Sequence, residues 1–445
     1  MSELDLRLGD ALRDRDAVIG VIGLGYVGLP LALAFAESGF RVLGFDLDDK
    51  KTEHLNRGET YLDAFPTKRI RPLVDNARLS ATTDMERLSE PDALLICVPT
   101  PLADDATPDL EYVKETARRI SDVLRVGQLV VLESTTYPGT TEEVVLPILE
   151  ASGLRSGEDF FLAYSPEREN PGSTEYRLES IPKVVGGVGR QALSLALTLY
   201  ESVVPTTVPV SSPRVAEASK LTENIYRAVN IALVNELKMI FDRMDIDVWE
   251  VMEAASTKPF GFKAFYPGPG WGGHCIPIDP FYLSWKAREA GAEARFIELA
   301  GEINTMMPRF VLAKLEAALE VRGIDLKGAR VLLIGLAYKK NVADPRESPA
   351  FEFIELLREK EALPAYHDPY IPVAPSMRRW HPPGADVPAP LESVALSKES
   401  LAAFEAVVVI TDHDSIDWDL IRENARLIVD SRGRFREPAK NVIRA

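Results

Sequence analysis

Ala17-Val18-Ile19-Gly20-Val21-Ile22-Gly23-Leu24-Gly25-Tyr26-Val27-Gly28 reads as a buried strand that runs straight into a glycine loop. An apolar helix follows from Leu29 to Ser38 and is closed by Gly39. A second strand, Arg41-Val42-Leu43-Gly44-Phe45, ends at Asp46. This strand, glycine loop, helix, strand and acid order is that of a dinucleotide fingerprint. Gly23 permits the tight turn, Gly25 lets backbone approach a pyrophosphate, and Gly28 allows close helix packing. Tyr26 and Val27 complete the loop, and the helix N-terminus adds amide donors and a favourable dipole for phosphate. Asp46 suits a ribose diol and repels a 2′-phosphate, which favours NAD over NADP. Lys51 either reaches the adenosine side or is a solvated lysine.

Further apolar runs follow at Ala93–Val98, which contains Cys97, and at Gln128–Glu133, with a helix between them over about Leu110–Val126. A third run, Phe160–Tyr164, leads to Ser165-Pro166-Glu167-Arg168. Each run ends in a polar turn, Pro99-Thr100-Pro101 and Ser134-Thr135-Thr136-Tyr137-Pro138-Gly139 among them. Ligands of open parallel sheets bind at such carboxyl ends. On its own, Glu167 beside two prolines and an arginine reads as a salt-bridged turn residue.

At 445 residues the chain predicts two or three domains. A formal charge of −17 argues against nonspecific nucleic-acid binding and against an anionic membrane surface, so any anionic ligand must be held by local donors. The two cysteines, Cys97 and Cys275, give neither a disulfide framework nor a zinc pattern, and a reducing cytoplasm fits them. Met1 to Asp16 lacks the apolar core of a signal peptide, and no apolar run reaches the roughly 20 residues that span a bilayer.

A long amphipathic pattern runs from Pro213 to about Met244. Lys220 and Asn224, at i and i+4, share one helical face, and Arg227 extends that edge. With Asn230 and Asn235 these polar residues form either a solvated face or a donor array turned towards a site. Beyond the helix lies Tyr266-Pro267-Gly268-Pro269-Gly270-Trp271-Gly272-Gly273-His274-Cys275-Ile276-Pro277-Ile278-Asp279-Pro280. A thiol flanked by glycines is open to close approach by a substrate, with a carboxylate four residues on; the plainer reading is a tight turn with an incidental cysteine.

Towards the end, Val331–Leu336 reads as a strand, followed by Tyr338-Lys339-Lys340-Asn341, then Asp344-Pro345-Arg346-Glu347-Ser348-Pro349 ahead of a helix through Lys360. Strands recur at Ala406–Ile410 and Leu427–Val429, which makes a second α/β unit. Its first turn lacks the glycine fingerprint, although Lys339 and Arg346 suit an anionic group. Met377 to Pro390 reads as an irregular surface loop.

These pieces, over roughly Val18 to Arg434, resemble the UDP-glucose/GDP-mannose dehydrogenase family. The carriers are Gly23–Gly28, Ser134–Pro138, Ser165-Pro166-Glu167, Lys220-x3-Asn224, Gly272-Gly273-His274-Cys275-x3-Asp279 and Lys339…Arg346-Glu347-Ser348. The resemblance implies an α/β fold of two Rossmann-like doubly wound domains joined by a central helical region with a long connecting helix. It divides the chain into an NAD-binding domain over 15–210, a helical domain with the cysteine loop and a dimer interface over 211–307, and a UDP-sugar-binding domain over 308–445. It further implies a homodimer or higher homo-oligomer. The activity implied is NAD-dependent four-electron oxidation of a sugar C6 alcohol to the uronate, for polysaccharide precursors. His274 before the cysteine looks like the N-acetylhexosamine branches, and UDP-N-acetylglucosamine 6-dehydrogenases are the best match; UDP-N-acetylmannosamine and UDP-glucose enzymes are the alternatives.

In that family pattern Cys275 adds to the aldehyde and carries the thioester. Lys220 and Asn224 donate to the developing oxyanion, and Lys220 favours the thiolate. Asp279 positions or activates water, and Glu167 serves in acid/base steps of thioester formation or hydrolysis. Thr100, Thr135 and Arg346 contact NAD, Thr135 also standing at the reaction centre. Lys339 and the loop with Tyr266, Gly268, Gly270 and Gly272 hold the nucleotide sugar, beside Glu167, Lys220 and Asn224. No metal is implied. Thr135-Thr136 makes the turn one residue longer than in UDP-glucose enzymes, so either threonine can be the functional one. Thr257–Phe262 lacks the arginine that the UDP-glucose branch places there, which points to a different sugar pocket. A two-electron hydroxy-acid dehydrogenase would explain the first domain but neither the lysine–asparagine pair nor the cysteine loop. An inactive nucleotide-sugar-binding protein is the non-enzymatic alternative.

Overall fold

The computed structural model describes residues 3–62, 66–103, 107–168, 180–273, 275–375 and 391–445. It divides into two compact units: Met1–Glu223 with Phe281–Ala292, and Asn224–Pro280 with Glu293–Ala445. His274 and the stretch Met377–Pro390 lie outside the described residues, as do Glu169 to Gly172 beyond the Glu167 turn.

The first unit is built on an eight-stranded sheet. Its strands are β1 Val18–Ile22, β2 Arg41–Phe45, β3 Leu79–Thr82, β4 Ala93–Ile96, β5 Leu129–Leu132, β6 Phe161–Tyr164, β7 Lys183–Gly187 and β8 Thr207–Pro209. The order is β3-β2-β1-β4-β5-β6-β7-β8, parallel throughout except for β6 against β7. The chain reverses its direction of travel across the sheet between β1 and β4, and the carboxyl ends beside that switch carry the glycine loop. Strands β4, β5 and β6 are buried at every residue, because helices cover both faces; this is why they read as unbroken apolar runs instead of alternating ones. Cys97 lies just past the end of β4, not within it.

The second unit holds a parallel sheet of β9 Arg330–Ile334, β10 Leu363–His367, β11 Ala406–Val409, β12 Ile428–Asp430 and β13 Val442–Arg444, in the order β10-β9-β11-β12-β13. Its core gathers Val331, Leu333, Val408 and Val429 with Phe353 and Leu357 of the helix Pro349–Glu359. The helical part of this unit packs Val234 against Trp249 and Met252, and Ala232 against Ala300 and Ile303.

The expected connecting helix spans Pro213–Arg243, 31 residues, and the unit boundary falls within it, between Glu223 and Asn224. Its length matches the pattern read from the sequence because no glycine or internal proline interrupts it. Among the described residues no helix is long and apolar enough to cross a membrane.

Candidate active site

In the first unit the glycine loop has the shape a dinucleotide needs. Gly23 stands at φ 89°, and a Cβ there would lie 2.7 Å from the Cys97 carbonyl oxygen. A Cβ on Gly28 would fall 1.9 Å from the Gly23 oxygen, whereas around Gly25 nothing lies within 4 Å. Two positions are thus closed by the protein's own backbone, and the middle one is open for a pyrophosphate. The helix Gly28–Glu37 has no side-chain cap at Val27, and Tyr26 is exposed, which leaves the first-turn amides without a side-chain cap.

Asp46, at the end of β2, accepts from the Leu24 amide at 2.9 Å and pairs with Lys51 at 3.0 Å. Lys51 is therefore tied to the acid instead of standing solvated. Tyr61, which the sequence reading missed, donates to the Leu24 carbonyl at 2.7 Å. Burial, then Asp46 and Asp48, push its phenol well above the ordinary value, so it stays a donor.

At the carboxyl ends of β4 and β5, Ser134 Oγ donates to the Val98 carbonyl at 2.7 Å and stitches the two turns together. Thr100 is buried and Thr135 half-buried. Thr136 is fully buried, and its hydroxyl has no hydrogen-bond partner among the described residues. The far end of this turn is held by Glu217, a buried carboxylate that accepts from the Gly139 amide at 2.6 Å and from the Thr141 amide and hydroxyl at 2.9 and 2.7 Å. Burial raises the Glu217 pKa, and these donors oppose the rise. One turn further along the same helix, Lys220 Nζ donates to the Glu167 carbonyl oxygen. Glu167 thus stands in the same unit as Lys220, with Arg168 beside it gripping Glu223 at 2.5 Å.

In the second unit the cysteine loop lies against the turn after β9. A Cβ on Gly273, at φ 87°, would come 2.8 Å from the Tyr338 ring; one on Gly272 would come 2.8 Å from the Glu347 oxygen. Glycine is required because the loop lies directly on this wall. The Gly273 amide donates to the Arg346 carbonyl at 2.9 Å. Cys275 is half-buried, and neither cysteine is in a disulfide. Its carbonyl accepts from the Asp279 amide at 2.8 Å, so the helix Asp279–Glu289 starts directly from the loop.

The Asp279 side chain is buried, and its Oδ2 accepts from Asn224 Nδ2 at 2.5 Å; Asn224 Oδ1 accepts from Arg227 at 2.6 Å. Asn235 is likewise buried, bonding Asn304 at 2.8 Å and receiving the Gly268 amide at 3.0 Å. Lys220, Asn224 and Asn235 are therefore not a solvated face. Asn230 is not part of the array: it donates back to the Tyr226 carbonyl.

Tyr266 is exposed, Gly268 meets Arg432, and Gly270 meets Pro349 and Asn304. Lys339 is half-buried, and its pKa is lowered by burial and then by Arg227. Arg346 forks onto Asp344 at 2.6 Å, so its guanidinium is already engaged there. By contrast, burial and then Glu133 push the Cys97 thiol well above its ordinary value in the first unit, which leaves it a poor nucleophile.

Three family models match in succession. They are the UDP-glucose/GDP-mannose dehydrogenase family's NAD binding domain over residues 17–204, its central domain over 214–306 and its UDP binding domain over 332–437. A UDP-N-acetyl-D-mannosamine dehydrogenase of Pyrococcus horikoshii is 36% identical over 96% of this chain and 97% of its own. A UDP-N-acetyl-D-glucosamine 6-dehydrogenase of Pseudomonas aeruginosa is 39% identical over 82% of this chain and 86% of its own. Among solved structures, the UDP-N-acetyl-D-mannosamine dehydrogenase of Pyrococcus horikoshii superposes with a TM-score of 0.86 at 34% identity, covering 96% of this chain and 98% of that one.

Proposed function

Because the chain belongs to the UDP-glucose/GDP-mannose dehydrogenase family of NAD-dependent oxidoreductases, we propose that it oxidises the C6 alcohol of a UDP-N-acetylhexosamine, foremost UDP-N-acetylglucosamine, to the uronate. The observation that carries this reading is the arrangement around the thiol. Cys275 sits half-buried on a glycine loop, and the buried Asp279 carboxylate, held by Asn224, follows one turn later.

Bound at the glycine loop, NAD would supply the hydride acceptor at C6, one NAD for each of two oxidations. The first converts the alcohol to an aldehyde, its hydroxyl proton passing to a base. The Cys275 sulfur then adds to the aldehyde carbon, and the carbonyl oxygen takes up a proton to give a thiohemiacetal. Loss of a second hydride and of the hydroxyl proton leaves a thioester. Water adds to its carbonyl, the thiolate departs, and the carboxylate is released.

Lys220 and Asn224 provide donors for the oxyanion that develops at C6, and Asp279 orients the water that receives the alcohol proton. Glu167 serves as general base in thioester hydrolysis. The glycine loop, Asp46 and Lys51, with Thr100, Thr135 and Arg346, hold NAD. Lys339 and the Tyr266–Gly272 loop hold the UDP-sugar.

UDP-N-acetylmannosamine is the second reading, favoured by the near full-length similarity to the Pyrococcus horikoshii protein. NADH formation against UDP-N-acetylglucosamine, UDP-N-acetylmannosamine, UDP-N-acetylgalactosamine and UDP-glucose decides between them. A kcat/KM that favours UDP-glucose would overturn the N-acetylhexosamine reading.

We infer that the protein acts as a homodimer. Tyr226, Leu233 and Ile240 recur every seven residues along the long helix and are about half exposed, as are Leu299 and Met306 on the helix Arg295–Glu320. Such a row of exposed apolar residues is the kind of surface that a second copy covers. The uronate product would feed polysaccharide synthesis.

A further inference from the structure

The first unit buries an ion pair that none of the roles above uses. Glu133 follows β5 and is 1% exposed; Lys183 begins β7 and is 3% exposed. They meet at 2.5 Å. Tyr200, on the helix Arg190–Glu201, is fully buried and donates its hydroxyl to the other Glu133 oxygen. Lys183 Nζ lies 4.9 Å from the centroid of the Tyr200 ring.

A buried lysine is costly unless its charge is paired and its three donors find acceptors. Here one donor has the carboxylate and the ring face takes up part of the charge. A further donor reaches the Pro166 carbonyl, at 3.3 Å. That carbonyl belongs to the peptide leading into Glu167, while Lys220 Nζ holds the carbonyl of Glu167 itself. The peptide planes on both sides of the Glu167 Cα are therefore each gripped by a lysine. Together they fix the direction in which the Glu167 side chain leaves the backbone. Immediately afterwards, Arg168 donates to the Pro182 carbonyl at 2.6 Å, one residue before Lys183, which closes the same segment from its other end.

We propose that Lys183, held by Glu133 and Tyr200, is a positioning residue for Glu167, and that its loss blocks the step in which Glu167 acts. This rests on the reading of Glu167 as the base of thioester hydrolysis. With Lys183 removed, the Pro166 carbonyl loses its buried donor and the peptide is free to turn. Misplacement of a general base by about 1 Å lowers turnover by roughly a hundredfold. Because hydrolysis is slowed and the earlier steps are not, the thioester accumulates.

The test compares Lys183→Met and Glu167→Gln with the wild-type protein, full length. NAD and UDP-N-acetylglucosamine are supplied, or UDP-N-acetylmannosamine if that is the better substrate in the panel. Both variants are expected to lose roughly a hundredfold in kcat, with KM for NAD little changed, and to show a sugar-nucleotide acyl mass on Cys275 after acid quenching. A general loss of stability lowers the active fraction but does not trap that adduct. Turnover of Glu167→Gln at the wild-type rate would overturn the reading of Glu167 itself. If Glu167→Gln traps the adduct while Lys183→Met is wild-type, or is slow without adduct, that reading stands and the role of Lys183 falls. Should Lys183→Met not fold, Lys183→Met in a Glu133→Gln background removes the donor while leaving no unpaired buried charge and gives the same readout; if that variant also fails to fold, the cluster is structural only and the proposal is overturned.

Discussion

Among single residues, Cys275 and Gly273 carry the proposed chemistry. Removing the sulfur leaves binding and the first hydride transfer intact but denies the aldehyde its covalent anchor. Cys275→Ser is therefore expected to lower uronate formation by a factor of roughly a thousand or more, measured by product chromatography with UDP-sugar and NAD. Undiminished uronate would remove the nucleophile assignment. Gly273→Ala introduces a Cβ 2.8 Å from the Tyr338 ring at a φ of 87°. A side chain forced into that region costs about 1–3 kcal/mol, so a lower thermal midpoint should accompany a fall in kcat. A melting curve and rate equal to wild type would show that the loop does not rest on Tyr338.

Residues also mark where the sequence can be read and where it cannot. Gly23, Gly25, Gly28, Asp46 and Cys275 stand in short contiguous patterns whose spacing is itself the signal. Glu133 and Lys183 are 50 positions apart, and locally each looks like an ordinary charged residue at a strand end. Only the fold makes them a pair. Tyr61 and Glu217 escaped for the same reason, since each acts on a backbone group far away in the chain.

At the element scale, the strands that could be read are those buried on both faces. The others lie off the apolar pattern: β7, though buried throughout, starts with lysine and ends in two glycines, β10 carries a proline and a histidine at partly exposed positions, and β8 and β13 are only three residues long. Their pairing comes from the sheet, not from local preference. The carboxyl ends of β9 and β10 carry a further device.

Asp368 accepts from the Leu336 and Ala337 amides at 2.7 and 2.9 Å and from buried His413 at 3.1 Å. His413 Nδ1 accepts the Asn341 amide, so its proton is on Nε2. Burial alone would raise the Asp368 pKa, but these donors outweigh it and hold the carboxyl below the usual 3.8. A carboxylate whose folded pKa is depressed adds stability above its unfolded pKa and loses it as pH falls through the folded value. Asp368→Asn is thus expected to cost about 1–3 kcal/mol near neutrality and to flatten the fall of the thermal midpoint below about pH 4. An unchanged acid limb in the variant would show that this carboxylate does not set it.

At the scale of the whole molecule, two parallel-sheet units and a helical region separate the binding tasks that the family models describe, NAD in one part and UDP in another. The long helix between Pro213 and Arg243 carries the proposed copy-to-copy face. Light scattering is expected to give about twice the 49.2 kDa chain mass, and Leu233→Glu to shift it towards one chain. A wild-type protein of single-chain mass would contradict the dimer. The sugar was the least legible part of the sequence, because a pocket shaped by several loops is not encoded in any one of them. His274, which pointed to the N-acetylhexosamine branches, lies outside the described residues.

The reaction inferred is a four-electron oxidation through one cysteine. Its most direct measure is the stoichiometry of NADH to nucleotide sugar consumed to completion, with the product identified by mass. Two NADH per sugar and a uronate are expected, with no free aldehyde. One NADH per sugar and a released aldehyde would contradict it.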